Sequence, residues 1–187
     1  MSILVPSDFV GKVAITQDDI TAVKIQRYID ELEVQYLDDL LGCELSTLLI
    51  ADLALPPAGE PTAQRFKDIF DKFCIDITGL VFPFPWSHDF FEFFVEHRQN
   101  RSRGIKEMLK GFIYFEYVRD QPIINSSVGM TRSKGVASDV IGSLNNGIVF
   151  GFNNALKDYW NIQFFINENL TTYSEFNGIR KEPTGII

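Results

Sequence analysis

Two histidines and two cysteines are all that this chain of 187 residues offers to imidazole, thiol and metal chemistry. The cysteines, Cys43 and Cys74, stand far apart and lack the close Cys/His spacing of a zinc site. Both lie in apolar, helix-like surroundings, which predicts buried free thiols kept reduced in a cytoplasm and not a disulfide framework. A Ser-His-Asp or Cys-His arrangement would have to use His88 or His97, and no Gly-x-Ser-x-Gly elbow surrounds any serine. Glycine-rich spots such as Gly142–Gly147 lack the Gly-Lys-Ser/Thr that cradles phosphates, and no dinucleotide fingerprint is present. Long apolar runs are missing too: the richest, Phe90–Val95, is far too short to cross a bilayer. The opening Met1-Ser-Ile-Leu-Val-Pro-Ser-Asp8 has no basic n-region, so no signal peptide is expected. Together these absences predict a protein without cofactor, without metal, away from membranes, and not an enzyme.

Positive charge is also scarce. The net charge is −8, and residues 1–60 alone carry it, with 11 Asp+Glu against 3 Lys+Arg. An acidic chain does not bind nucleic acid by charge, because that needs a broad cationic surface. An acidic surface lining a channel would instead repel DNA and let it slide. The exception is a short basic stretch, Arg98, Arg101, Arg103, Lys106 and Lys110, diluted by Glu107. Arg101 and Arg103 flank an expected helix start, where the dipole does not favour cations. They are therefore candidates for holding a partner, an acidic protein surface in preference to a phosphate backbone.

What the chain has in quantity is apolar and aromatic side chain: 45% hydrophobic residues and 17 Phe. That is ample for one core and suits subunit interfaces as well. Thr16 reads as an N-cap opening a helix with Ile25, Tyr28, Ile29, Leu32 and Tyr36 on one face and Gly42 as its stop. A short second helix, Glu44 to Leu53, presents Leu45, Leu48 and Leu49. After the Pro56–Pro61 linker, Thr62 is expected to cap a third helix with Phe66, Ile69, Phe70, Phe73 and Ile77 on one face. Phe82-Pro-Phe84-Pro-Trp86 breaks it, an apolar stretch better packed on a neighbour than held in water. Ser102 opens the clearest helix of the second half, with Ile105, Leu109, Phe112, Ile113 and Tyr117 aligned. Residues 122–139 mix Ser, Thr, Gly and cations with Ile123, Ile124, Val128, Met130 and Val136, which predicts an extended loop or a β-hairpin. A last helix, about Val140 to Asn169, carries Leu144, Ile148, Phe152, Leu156, Tyr159, Ile162 and Ile166. Its Gly/Asn-rich first half predicts a kink, or helix only against a partner. The tail from Thr171 is polar and expected to be flexible.

The fold this predicts is mainly α: a small helical bundle in a single domain, 1–187. Its core is about 16–120 and 140–169, with 122–139 as a projecting insertion and 171–187 as an extended tail. One stretch could carry metal or acid–base chemistry. If helical, His88, Glu92 and Glu96 recur at four-residue steps. No second set of ligands accompanies them, and an amphipathic helix burying Phe90, Phe93 and Phe94 explains the same letters.

Two segments resemble a known family. Ile25-Gln-Arg-Tyr-Ile-Asp-Glu31, then Leu37-Asp-Asp-Leu-Leu-Gly42 and Leu45, is similar to the opening helix of tailed-bacteriophage head–tail connector (adaptor, head-completion) proteins. Gly104-Ile-Lys106 with Phe112-Ile-Tyr-Phe-Glu-Tyr117-Val is similar to the later aromatic-rich helix of the same group. A polar segment, Thr131-Arg132-Ser-Lys134-Gly-Val136, and a last helix ending near Tyr159 and Phe165 follow in the same order. The resemblance covers about 15–50 and 102–168 and rests on residue types, not on catalytic signatures. It implies a structural virion protein at the neck, made in the host bacterial cytoplasm. It also implies a homo-oligomeric ring, commonly twelvefold, that docks beneath the portal protein, receives tail or neck proteins, and lets packaged DNA pass without sequence-specific binding. The candidate partner contacts are Ile123, Ile124, Val128, Met130, Arg132, Lys134 and Val136 of the extended segment, together with Phe82, Phe84, Trp86, Arg101 and Arg103 from the apolar and basic stretches. The chain departs from the pattern at Phe82–Trp86, longer and more apolar than expected, and at the Gly/Asn-rich start of the last helix. Another neck or tail completion protein, or a cytoplasmic helical module binding a partner helix, would share many of these features.

Overall fold

The structure, a computed structural model, describes residues 2–15, 19–56, 59–75, 100–120, 123–126, 129–132 and 141–177. The side chains of Lys12, Asp19, Ile20, Ile75, Asn100, 123–132 and 141–148 lie outside that description. It is mainly helical. The helices are α1 (Asp19–Leu41), α2 (Cys43–Leu53), α3 (Gln64–Phe70), α4 (Ile105–Asp120) and α5 (Ile141–Glu168). Two antiparallel ribbons join them: β1 (Phe73–Ile75) with β2 (Asn100–Ser102), and β3 (Ile123–Ser126) with β4 (Gly129–Arg132). The single helical bundle with an inserted hairpin is thus the observed fold.

Helix α1 follows from its apolar stripe: Ile25, Ile29, Tyr36, Leu37 and Leu40 are buried at helical spacing. It stops at Gly42, whose φ of 82° a side chain would strain. The same glycine donates its N–H to Asp38 O (2.9 Å) and accepts Ser46 N–H (2.9 Å), so it closes α1 and opens α2. The last carbonyls of a helix lack partners within it. Here α5 supplies them: Tyr159 Oη–H donates to Asp39 O (2.9 Å) and Gln163 Nε2–H to Leu40 O (3.0 Å). Helix α4 buries all five residues of its predicted face and packs most extensively on α5. At the crossing, Gly111 comes so close that a Cβ there would lie 2.6 Å from the Cβ of Ala155. An N-terminal strap, residues 2–15, lies across these helices and buries Ile3, Leu4 and Phe9 in the core.

Several expectations are corrected. Helix α3 ends at Phe70 and does not continue to Ile77: Asp71 is extended, and Phe73–Ile75 pairs with Asn100–Ser102. Thr62 does not cap α3. The N-cap is Ala63, and Asp52, at the end of α2, holds the approach to the helix by accepting Thr62 N–H (2.7 Å), Thr62 Oγ1–H (2.5 Å) and Ala63 N–H (3.2 Å). Ser102 belongs to β2; α4 begins at Ile105 after Gly104, with the Ser102 hydroxyl accepting the Gly104 N–H (3.1 Å). Leu48 is exposed, because the buried side of α2 is set by Leu45, Leu49, Asp52 and Leu53. Both cysteines are free and exposed, not buried. Cys43 starts α2 off its buried side, and Cys74 alternates with Phe73, which is the residue of β1 that meets Phe165 (4.9 Å between rings). The Gly/Asn-rich first half of the last helix is helical, and α5 runs without interruption over 28 residues. The start of the tail is not loose. Tyr173 and Phe176 are buried, Tyr173 Oη–H donates to Arg65 O (2.5 Å), and Arg65 pairs with Glu175 (3.1 Å). Two buried aromatics, one hydrogen bond and one ion pair together fasten it. The expected Thr16 cap lies outside the described residues.

Candidate partner-binding surface

The hairpin is the main candidate. Its register is Ile123 with Arg132, Ile124 with Thr131, Asn125 with Met130 and Ser126 with Gly129. Four of the candidate residues, Ile123, Ile124, Met130 and Arg132, therefore stand in one ladder. Val128, Lys134 and Val136 lie outside the described residues, as do Phe82, Phe84 and Trp86 and the stretch His88–Glu96. A two-stranded ribbon alone is marginal in water and needs a third strand or a packing face. That requirement, and not charge, is the physical reason to look for a partner here.

The hairpin leaves from the end of α4, and that end is laced to α1. Tyr28 Oη–H donates to Asp120 Oδ2 (3.0 Å), and Arg119 Nε–H reaches Asp120 Oδ1 (3.3 Å) and Nη1–H reaches Glu116 Oε1 (3.1 Å). Tyr36 Oη lies 3.5 Å from Glu116 Oε1. Behind these contacts Tyr28 meets Tyr117 edge-on and Tyr36 stacks on Phe112, with centroids 5.7 and 5.0 Å apart. Burial pushes the Tyr28 and Tyr36 phenols and the Glu116 carboxyl above their ordinary values, with Arg119 pulling Glu116 partly back.

The basic stretch resolves into internal pairs more than into a free cationic surface. Arg103 grips the buried Asp158 through its backbone N–H (2.8 Å), its Nε (2.7 Å) and its Nη2 (2.7 Å). Lys106 pairs with Asp8 of the strap (2.9 Å), and Lys110 with Glu107. Arg101 is exposed on β2, and its carbonyl accepts Asn161 Nδ2–H (3.4 Å). Asp158 and Asn161, one turn apart on α5, thus hold the backbone at 103 and 101, which fixes the β1–β2 ribbon. The bridge between Arg103 and Asp158 gives this arginine a structural reason for its place.

Three buried carboxylates escaped the sequence reading: Glu33, Asp52 and Asp158. Glu33 accepts Ile3 N–H (2.8 Å), Leu4 N–H (3.0 Å) and the Ser2 hydroxyl (2.9 Å), latching the strap to α1. Burial raises its carboxyl, and those donors offset part of the rise. For Asp52 burial acts upward, but the Thr62 and Ala63 donors together win and hold it below the usual range. Each sits on an apolar stripe, which is the signal that could have found it.

A mixed groove of about 650 Å³ runs between the strap, the turn at 59–61 and α3, lined by Ser2, Asp8, Glu60, Lys67, Asp71 and Lys106 among others. Its charges are of both signs and favour neither anion nor cation. Among the described residues, no His, Cys, Asp or Glu side chains group in threes to hold a metal ion. No helix among them is long and apolar enough to cross a membrane. Compared with family models, with curated proteins and with solved structures, the chain matches none.

Proposed function

We propose that this chain is a structural subunit of an oligomeric head–tail connector ring in a tailed-phage neck, docking beneath a portal protein and offering a surface to tail or neck proteins. The observation that supports this best is the order of elements. An acid-rich helix ends at Leu41-Gly42 and turns into a short second helix. A later helix opens at Gly104-Ile-Lys106, a β-hairpin leaves from its end, and a long last helix follows. The resemblance implies that order, and a two-stranded hairpin gives it a physical use. A two-stranded ribbon gains stability when a neighbour or a portal covers it. In this reading the hairpin and the aromatic segment at Phe82–Trp86 make the contacts, while DNA passes without being bound by sequence.

Mass measurement and two-dimensional image averages of the purified chain, alone and with a portal protein, test it. Rings of high rotational symmetry, formed alone or with portal, are the expected result. A strict monomer that ignores portal at high concentration would overturn it and favour a helical module that binds a partner helix.

A further inference from the structure

Two carboxylates sit where α4 should disfavour them. Asp120 is its last residue and Glu116 lies one turn earlier, both toward the end where the helix dipole is negative. A carboxylate there runs against the local rule, and such departures commonly mark a positioning role. Both acids have partners, although Asp120 keeps 43% of its side chain exposed: Tyr28 of α1 and Arg119 hold Asp120, while Arg119 and Tyr36 face Glu116. The ties cross from α1 to α4 at sequence separations of 92 and 80, so they fix one helix end against another and not a local turn. β3 starts at Ile123, three positions beyond Asp120.

We propose that the Tyr28–Asp120 tie, braced by Arg119, Glu116 and Tyr36, is a positioning device that sets how the β3–β4 hairpin leaves the bundle. The inference rests on the connector reading only in naming the hairpin as the docking element. The tie works by removing the freedom of the last turn of α4. With α1 as the reference, the hairpin is presented in one orientation before any partner arrives, which lowers the entropy cost of docking. Tyr28 keeps its ring against Tyr117 when the hydroxyl is removed, so the tie can be cut without opening the core.

Electron-spin distance measurement tests this on the full chain. Nitroxides are placed at Thr131→Cys in β4 and Gln35→Cys, exposed on α1, with the exposed thiols removed by Cys43→Ser and Cys74→Ser. One narrow distance is expected. In Tyr28→Phe and in Asp120→Ala the population outside that distance should rise about fivefold, the change that losing one hydrogen bond implies. Arg27→Gln, which cuts a surface pair on the same helix, should leave the distribution alone. A distribution already broad in the parent chain, or one that neither Tyr28→Phe nor Asp120→Ala changes, overturns the proposal. Mass measured on the same samples reads the ring separately. A chain that stays monomeric even with a portal protein added, and whose hairpin loosens in Tyr28→Phe, would sink the connector reading and leave this inference standing.

Discussion

Removing the Glu33 carboxylate should release the N-terminal strap while leaving the helices folded. In Glu33→Ala, the N–H groups of Ile3 and Leu4 lose their acceptor at positions closed to water, Leu4 being fully buried. Each buried donor left unpaired costs about 1–3 kcal/mol. The Ser2 hydroxyl adds little, because it also donates to Leu4 O (2.9 Å). Against this, the variant no longer buries a carboxylate whose proton affinity burial has raised. The balance puts Glu33→Ala at about 2–4 kcal/mol, a large share of the 5–15 kcal/mol typical of a domain. Glu33→Gln keeps one acceptor but turns an NH2 toward a donor, which costs about 1–2 kcal/mol. Urea unfolding gives the totals, and amide exchange at Ile3 and Leu4 gives the location. The two amides should lose protection ahead of those in α4. If Glu33→Ala unfolds within about 0.5 kcal/mol of the parent and both amides stay protected, the latch is not what holds the strap.

Gly104→Ala should be among the most damaging small changes in the chain. Its φ is 86°, and a Cβ would sit 2.2 Å from Phe70 O, so backbone must move; a loss of more than about 3 kcal/mol in chemical denaturation is expected, and a loss below 1 kcal/mol would refute the close approach. Asp52→Asn should cost about 1 kcal/mol at neutral pH. Because the folded Asp52 lies below its ordinary value, its contribution is present above the unfolded value of about 3.9 and is lost as pH falls through the folded one. The gap between parent and variant should therefore hold above the unfolded value and close as pH falls below it, and a gap that widens on acidification would reverse the assignment. Tyr173→Phe removes only the bond to Arg65 O and should cost about 1 kcal/mol, with faster exchange confined to the segment after Thr171. Unchanged exchange there would mean that aromatic packing alone fastens the tail.

The repeating apolar positions of α1, α4 and α5 were legible because a helix with one buried side must repeat every three or four residues. The hairpin was legible from the loss of that period together with its turn and strand residues. What was not legible depended on partners distant in sequence. Cys74 reads as helical until Ser102 and Arg101 are brought beside it by β2. Thr62 is the natural cap by local rule, and only the folded chain shows its hydroxyl and N–H given to Asp52. Tyr173 and Phe176 look like isolated aromatics in a polar tail, since nothing local says that Arg65 and the core await them. Of the candidate contact residues, those on the hairpin were brought into one ladder, and Arg103 turned inward to Asp158.

The acidic N-terminal third also changes meaning once folded. Counted along the sequence it is a negative surface, suited to a channel wall that repels DNA. In the structure Glu33 and Asp52 are spent on backbone N–H groups, Asp8 on Lys106, and Glu31 on Arg27. The field they leave outside is weaker than the formal charge suggests, because a buried or paired carboxylate projects little potential across a Debye length of about 8 Å. A channel wall built from α1 and the start of α2 would then depend on the acids still facing water, such as Asp30 and Glu44. The ring reading therefore does not need a strongly repelling lining. It draws its support from the hairpin and the helix order, and charge reversal at Asp30 and Glu44 should leave subunit assembly intact while altering only what passes through or beside it. Loss of assembly on that reversal would place α1 at a subunit contact instead, which image averages of the variant would reveal.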